Sequence, residues 1–189
     1  MAEWEERGRA LLQQGTDAWE SGNRERAEEV FNQVLEEFPE RPEGYNKVGV
    51  VMAETGRLSE AEQYFLRALT QDRQHAPALT NLGNIYLERG ETEQAIQHYM
   101  LALQSDPEYP PAHRNLAVAY RRQGKYSSFV SSFKKSQKLD DRRARQQFRD
   151  RRLGQARAGH SGPRLTIPPF VWWIFIGIGV VLILTVVHR

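Results

Sequence analysis

Apolar residues recur along the chain at spacings of three and four, and the pattern is clearest in residues 76–109. The apolar positions of this stretch are Leu79, Leu82, Tyr86, Tyr99 and Ala102. These spacings put the residues on one stripe of each of two helices, which predicts a pair of facing amphipathic helices. Gly90 lies between them, where glycine enters the left-handed conformation that ends a helix without a Cβ penalty. Pro107 follows the second helix, where a missing backbone N–H does no harm.

Four kinds of position in this pair recur every 34 residues, which predicts helix pairs at 8–41, 42–75, 76–109 and 110–143. The small residue of the first helix is Gly15, Gly49, Gly83 or Ala117, and the turn residue is Gly22, Gly56, Gly90 or Gly124. The small residue of the second helix is Ala27, Ala61 or Ala95 and then Phe129, and the aromatic residue is Phe31, Phe65, Tyr99 or Phe133. We call the pairs the first to fourth repeats.

The fourth repeat departs from this pattern in its second helix. Phe129 stands where the other repeats have alanine, and Ser136 stands where the second and third repeats have alanine. A phenyl ring needs more space than a methyl group, so we expect this helix to pack farther from its partner. The departure is typical of a terminal repeat, and it would also leave room for another segment to dock.

The positions Leu82, Gly83, Tyr86, Ala95, Tyr99 and Pro107 resemble the signature of the tetratricopeptide repeat (TPR), with Leu79 in place of its tryptophan. The resemblance implies an all-α, right-handed solenoid of about eight helices in residues 1–143, whose first helices line a concave groove. It implies a protein-binding role without naming a partner.

The resemblance also implies which residues face the groove: Asn46, Lys47, Val50, Asn81, Asn84, Arg114, Asn115, Val118 and Arg121. Asparagine amides can bond to both the N–H and the C=O of an extended segment. Lysine and arginine can meet carboxylates, so we expect a peptide of some acidic character in this groove. The alternative is that these are solvated polar residues on helix surfaces.

One subtype of the family holds the C-terminal carboxylate of chaperones that end in the sequence EEVD. Its clamp needs Lys, Asn, Asn, Lys and Arg at five groove positions. Counted from the second repeat, this chain has Asn46, Val50, Asn81, Pro111 and Asn115 there, and only Asn81 matches. Counted from the first repeat, none matches. The sequence therefore predicts no chaperone clamp.

No residues with the spacing of a catalytic, metal or cofactor site occur in the sequence. The chain has no cysteine, which excludes disulfides, thiolate catalysis and cysteine-based zinc sites. Its five histidines are scattered, and glycine-rich phosphate loops and nucleophile motifs are absent. We therefore expect no enzyme activity, no cofactor and no metal.

Charge divides the chain into an acidic body and a basic neck. Residues 1–133 carry a net charge of −7, whereas residues 134–164 carry +8. Within the neck, residues 144–153 predict a basic helical extension or cap, and the glycine and proline content of 154–169 indicates a flexible linker. The neck suits anionic lipid headgroups; nucleic acid would also attract it, but the apolar segment that follows favours lipid.

Residues 170–187 are eighteen apolar or uncharged residues, from Phe170 to Val187. As a helix they would extend about 27 Å, close to the thickness of a bilayer core, with Trp172 and Trp173 at one interface. Because only two residues follow, we expect a tail-anchored, single-pass protein. The arginines before the segment, against Arg189 alone after it, place the repeats in the cytoplasm.

Together these features predict a membrane-anchored adaptor or scaffold, or an assembly factor for a membrane complex. Two other interpretations stay open. The protein could be a structural subunit of a membrane complex, or a regulator that recruits an enzyme to the membrane.

Overall fold

The structure, a computed structural model, describes residues 3–159 of the 189-residue chain. Its helices are α1 (Arg9–Glu20), α2 (Arg24–Glu37), α3 (Pro42–Glu54), α4 (Leu58–Gln71), α5 (Ala76–Glu88), α6 (Thr92–Ser105), α7 (Pro110–Arg122) and α8 (Tyr126–Gly159). A π-helical turn, Trp4–Gly8, precedes α1. No strand occurs within the described residues, and the predicted all-α fold is confirmed there.

Each repeat is a helix pair that reverses at a glycine. The turn glycines Gly22, Gly56, Gly90 and Gly124 have φ of +83°, +80°, +83° and +72°. These values lie in the left-handed region, where a side chain would be strained. After Gly90, the N–H of Glu91 donates to the carbonyl of Tyr86 at 2.8 Å, which satisfies one of the last carbonyls of α5.

The two helices of the first three repeats touch where the sequence places its small residues. A Cβ atom built on Gly83 would lie 2.5 Å from a ring carbon of Tyr99, and one on Gly49 would lie 2.6 Å from a ring carbon of Phe65. A Cβ on Gly15 would meet the Phe31 ring in the same way. The aromatic ring therefore occupies the space that a side chain on the first helix would need, and the predicted close packing is confirmed.

Stacking of successive repeats builds the hydrophobic core of residues 1–143. The largest cluster runs from α2 to α5 and includes the buried side chains of Phe31, Val48, Val51, Phe65 and Leu82. A second cluster joins the third and fourth repeats through Leu87, Tyr99 and Leu116. Each second helix contacts the first helix of the following repeat, so burial is shared between neighbours.

Trp4 closes the N-terminal end of the stack. Its ring is buried beside Phe38, with ring centroids 5.2 Å apart and the planes at 72°, and Arg41 stacks over it at 4.8 Å. Edge-to-face rings and a cation over an indole are favourable geometries. This tryptophan supplies the apolar cover that the first repeat lacks on its outer side.

The chain divides into two compact units at Arg143 and Ala144. In the second unit, residues 144–152 are helical and exposed, and the helix continues to Gly159. It includes residues 154–159, where composition predicted a linker, because glutamine, alanine and arginine all favour helix. None of the helices within residues 3–159 combines the length and hydrophobicity that a bilayer crossing requires. The predicted span at 170–187 lies outside the described residues.

Candidate protein-binding groove

The groove is the surface formed by the first helices, α1, α3, α5 and α7. Helices α5 and α7 contact each other directly, as do α3 and α5, so side chains of successive repeats meet across this surface. A proline in the first turn starts α3, α5 and α7 at the same point of each repeat, which keeps equivalent positions side by side.

Four of the predicted groove residues hydrogen-bond to one another. Asn81 Nδ2 donates to Asn46 Oδ1 at 2.9 Å, and Asn115 Nδ2 donates to Asn84 Oδ1 at 2.7 Å. Tyr99 also donates its hydroxyl to Asn84 Oδ1 at 2.9 Å. Burial raises the pKa of Tyr99 far above its usual value, so the hydroxyl keeps the proton that it donates. These amides therefore hold α3, α5 and α7 in register, a role that spacing did not reveal.

Lys47 lies at the junction of α1 and α3. Its Nζ donates to Thr16 Oγ1 at 3.0 Å and stands 5.7 Å from the centre of the Phe31 ring. Burial lowers the pKa of Lys47, and the nearby Glu20 carboxylate opposes that shift. The ammonium group is thus committed to the contact between repeats, and it is not extended towards a ligand carboxylate.

The arginines of α7 divide into two kinds. Arg114 pairs with Asp140 of α8 at 2.9 Å, while Arg121 is exposed and makes no ion pair among the described residues. Val118 is half-buried beside the third repeat. Of the three cations expected to attract an acidic peptide, only Arg121 is therefore unengaged within the described part of the chain.

The structure brings Val50, Asn81 and Asn84 together in one pocket of about 150 Å³ between α3 and α5. Apolar atoms of Ala53, Leu58, Phe65 and Ile85 complete its lining, and Glu54 and Glu88 stand at its sides. The two glutamates were missed from the sequence. Their signal was present, because Glu20, Glu54 and Glu88 occupy the same position of three successive repeats.

A second concavity of about 550 Å³ lies between α7 and α8. Its lining includes His113, Leu116 and Tyr120 of α7 and Ser127, Ser128, Ser131, Ser132 and Lys135 of α8. Phe129 is absent from this lining, and the looser packing expected from it stays a prediction. Phe133 does not occupy the aromatic packing position of the other repeats; its ring stacks on Phe129 at 5.8 Å and is 41% exposed.

Chemistry beyond binding has no support in the described residues. No three His, Asp or Glu side chains within residues 3–159 are grouped so that they could hold a metal ion. His75 caps α5 by accepting from the Ala78 N–H at 3.3 Å, and His98 stacks on Tyr86 at 5.0 Å. Burial lowers the pKa of both histidines, which keeps them neutral in these packing roles.

Family models match three overlapping parts of the chain. Two models described as tetratricopeptide repeat match residues 12–77 and 64–97, and a third described as TPR repeat matches residues 83–124. Residues 12–124 are tetratricopeptide repeats. The TPR resemblance of the sequence is thereby confirmed, and no catalytic family is indicated.

Solved structures with the same fold cover most of the TPR domain. A protein characterised as PilF of Pseudomonas aeruginosa is 27% identical with a TM-score of 0.62, over 70% of this chain and 60% of that one. MamA is 24% identical with a TM-score of 0.57, over 71% and 79%. A thermophilic TPR protein of Thermus thermophilus is 22% identical with a TM-score of 0.63, over 70% and 74%. No curated protein matches the chain significantly.

Proposed function

We propose that this TPR protein is a membrane-anchored adaptor or scaffold whose groove binds a segment of a partner protein. The observation that carries the proposal is the pocket between α3 and α5, which joins an apolar floor to two asparagines. Asn81 and Asn84 each use one amide atom to connect helices, and the Oδ1 of Asn81 makes no hydrogen bond within the described residues. A concave apolar site with a few polar groups is the usual form of a binding site.

Residues 170–187 would hold this groove at a membrane. Their support is the sequence: eighteen residues without a charge, two tryptophans at one end and an excess of arginine on that side. We propose a single-pass span with the repeats in the cytoplasm and the basic neck facing anionic headgroups. Confinement to a membrane raises the effective concentration of the groove near other membrane-bound proteins, so weak contacts suffice.

Site-directed photocrosslinking in intact membranes tests the groove. A photoreactive amino acid at Val50 would stand in the pocket, and one at Gln63 would stand at an exposed position of α4 as the control. We expect a discrete crosslinked protein from position 50 and none of the same mass from position 63. Equal patterns from the two positions would reject the groove as the binding site.

Deletion of residues 170–187 tests the anchor independently. The full chain should sediment with membranes and resist carbonate extraction, and the deletion variant should stay in the supernatant. In sealed vesicles with the cytoplasmic face inside, added protease should leave the repeats intact until detergent is added. Digestion without detergent would reject the orientation.

The absence of an EEVD clamp stays a prediction, which titration with an EEVD-ending peptide would check.

A further inference from the structure

We propose that the groove pocket takes an extended basic segment of a partner protein, with one apolar side chain in the pocket and cationic side chains beside Glu54 and Glu88. This inference rests on the proposed function and names the chemistry of the partner. It reverses the expectation from sequence, which was an acidic peptide.

The pocket has room for an apolar side chain. Its volume of about 150 Å³ far exceeds the roughly 10–15 Å³ that one water molecule needs. Val50 and Ala53 of α3, Leu58 and Phe65 of α4 and Ile85 of α5 line it. Burial of an aliphatic side chain against these atoms would therefore drive binding through the hydrophobic effect.

The charge around the pocket is negative. Glu54 and Glu88 are exposed and make neither a hydrogen bond nor an ion pair among the described residues. The nearest groove cation in sequence, Lys47, donates to Thr16 and lies beside Glu20. A phosphate or carboxylate ligand would meet two carboxylates that form no ion pair among the described residues, which disfavours nucleic acid, lipid headgroups and acidic peptides.

The fourth repeat ends the acidic series. Arg122 occupies the position of Glu20, Glu54 and Glu88, and its Nη1 donates to the Leu87 carbonyl at 2.6 Å. This hydrogen bond places Arg122 beside the C-terminal end of α5, where Glu88 follows Leu87 in the chain. A basic segment would be favoured at the second and third repeats and opposed at the fourth, so the segment has a defined position along the groove.

The spacing of the carboxylates sets the spacing of the cations. Neighbouring packed helices lie about 8–10 Å apart, so equivalent residues of successive first helices are separated by a similar distance. A segment in the extended polyproline II conformation has three residues per turn and rises about 3.1 Å per residue, so every third side chain faces the same side and three residues span that distance. The geometry points to lysine or arginine at every third position, with an apolar residue between two of them.

This inference is tested with a fluorescent nonapeptide that has lysine at every third position and a leucine between two of the lysines. Fluorescence anisotropy measures the affinity of the protein for the peptide. The protein is the full chain in a zwitterionic detergent, which adds no net charge. Comparison peptides have the same composition with the lysines adjacent, or glutamate in place of each lysine. We expect the evenly spaced lysine peptide to bind most tightly and its affinity to fall with added salt.

The double variant E54Q/E88Q should weaken binding of the lysine peptide by about three- to thirty-fold, since each exposed ion pair contributes modestly. The control E25Q/E36Q removes two exposed glutamates of α2 outside the pocket and should leave affinity unchanged. Circular dichroism melts of both variants establish that they are folded. Equal effects of the two variants, or no binding of the lysine peptide at about 1 mM, a concentration that would detect even weak complexes, would overturn the inference.

The variant V50W, which fills the pocket, separates the two proposals. V50W could abolish the photocrosslink from a second groove position such as Asn81 while E54Q/E88Q leaves it unchanged. The groove would then bind a partner, but the partner would not be basic. Tighter binding of the glutamate peptide than of the lysine peptide would also show that the partner is not basic. If the full chain forms an oligomer that E54Q/E88Q dissociates, the occupant is a second copy's basic neck instead of another protein. If Val50 and Asn81 both give the same crosslinked proteins as the control position Gln63, the proposed function itself is rejected.

Discussion

In the third repeat, the Tyr99 ring is completely buried on Gly83, whereas the equivalent Phe133 of the fourth repeat keeps 41% of its surface exposed. Both repeats have the left-handed turn glycine and a buried small residue on the first helix. They differ at the small position of the second helix, which is the buried Ala95 in one and the half-buried Phe129 in the other.

The difference between Ala95 and Phe129 bears on how closely the two helices of a repeat can approach each other. At the start of α8, Phe129 and Phe133 stack on each other, and neither ring is buried. Farther along α8, Ser136 is buried at the position equivalent to Ala102, and Leu139 is buried one turn later. The 34-residue spacing determines where the helices are, but one small residue determines how closely they meet.

The largest contrast should come from removal of the two aromatic rings. Tyr99→Ala leaves a cavity in the third repeat and should reduce the free energy of unfolding by about 3–5 kcal/mol. Phe133→Ala removes a half-exposed ring, and its effect should stay below about 1 kcal/mol. Urea denaturation followed by circular dichroism measures both. Similar losses would mean that Phe133 is packed as tightly as Tyr99.

Gly83→Ala should produce the next largest effect. The new Cβ would lie 2.5 Å from the Tyr99 ring, and the overpacked interface should lose about 1–3 kcal/mol of stability. Ser131→Ala, at an exposed position of α8, is the matched control and should be neutral or slightly stabilising. A Gly83→Ala melt that overlays the wild-type melt would contradict the close approach of α5 and α6.

The double substitution Phe129→Ala and Ser136→Ala gives the fourth repeat the residues of the third. We expect α8 to close onto α7 and stability to rise by about 0.5–2 kcal/mol. Hydrogen exchange should slow in α8, which distinguishes closure from a local gain in helix propensity. Phe148→Ala changes an exposed phenylalanine beyond the repeats and serves as the control. Unchanged exchange would mean that another residue holds the cleft open.

The smallest effect should come from Asp140→Asn. It removes the ion pair between α8 and Arg114, in which both side chains are about half exposed. Pairs of this kind contribute about 0.2–1 kcal/mol and are screened by salt. The loss, measured by urea denaturation, should shrink when salt is raised to about 1 M, where charges are screened within a few ångströms. A larger and salt-independent loss would show that the pair is needed to position α8.

The sequence predicted the repeats well because their packing rules are local. Gly90 and Gly83 have specific steric roles that spacing alone reveals, and the structure shows both. The asparagines were expected to bind a ligand, yet Asn46 and Asn81 bond to each other. Which partner an amide takes depends on the final separation of two helices, and a single sequence does not contain that distance. The basic-ligand inference needed Glu54 and Glu88 to be seen beside one pocket.

The hydrogen bonds between repeats join residues only 27–35 positions apart, as in the bond from Asn81 to Asn46. Helical domains with such local contacts fold in microseconds to milliseconds. A ribosome adds roughly 5–20 residues per second, so the 27 residues from Arg143 to Phe170 take about one to five seconds. The membrane span proposed for residues 170–187 would therefore enter a bilayer behind repeats that have already folded.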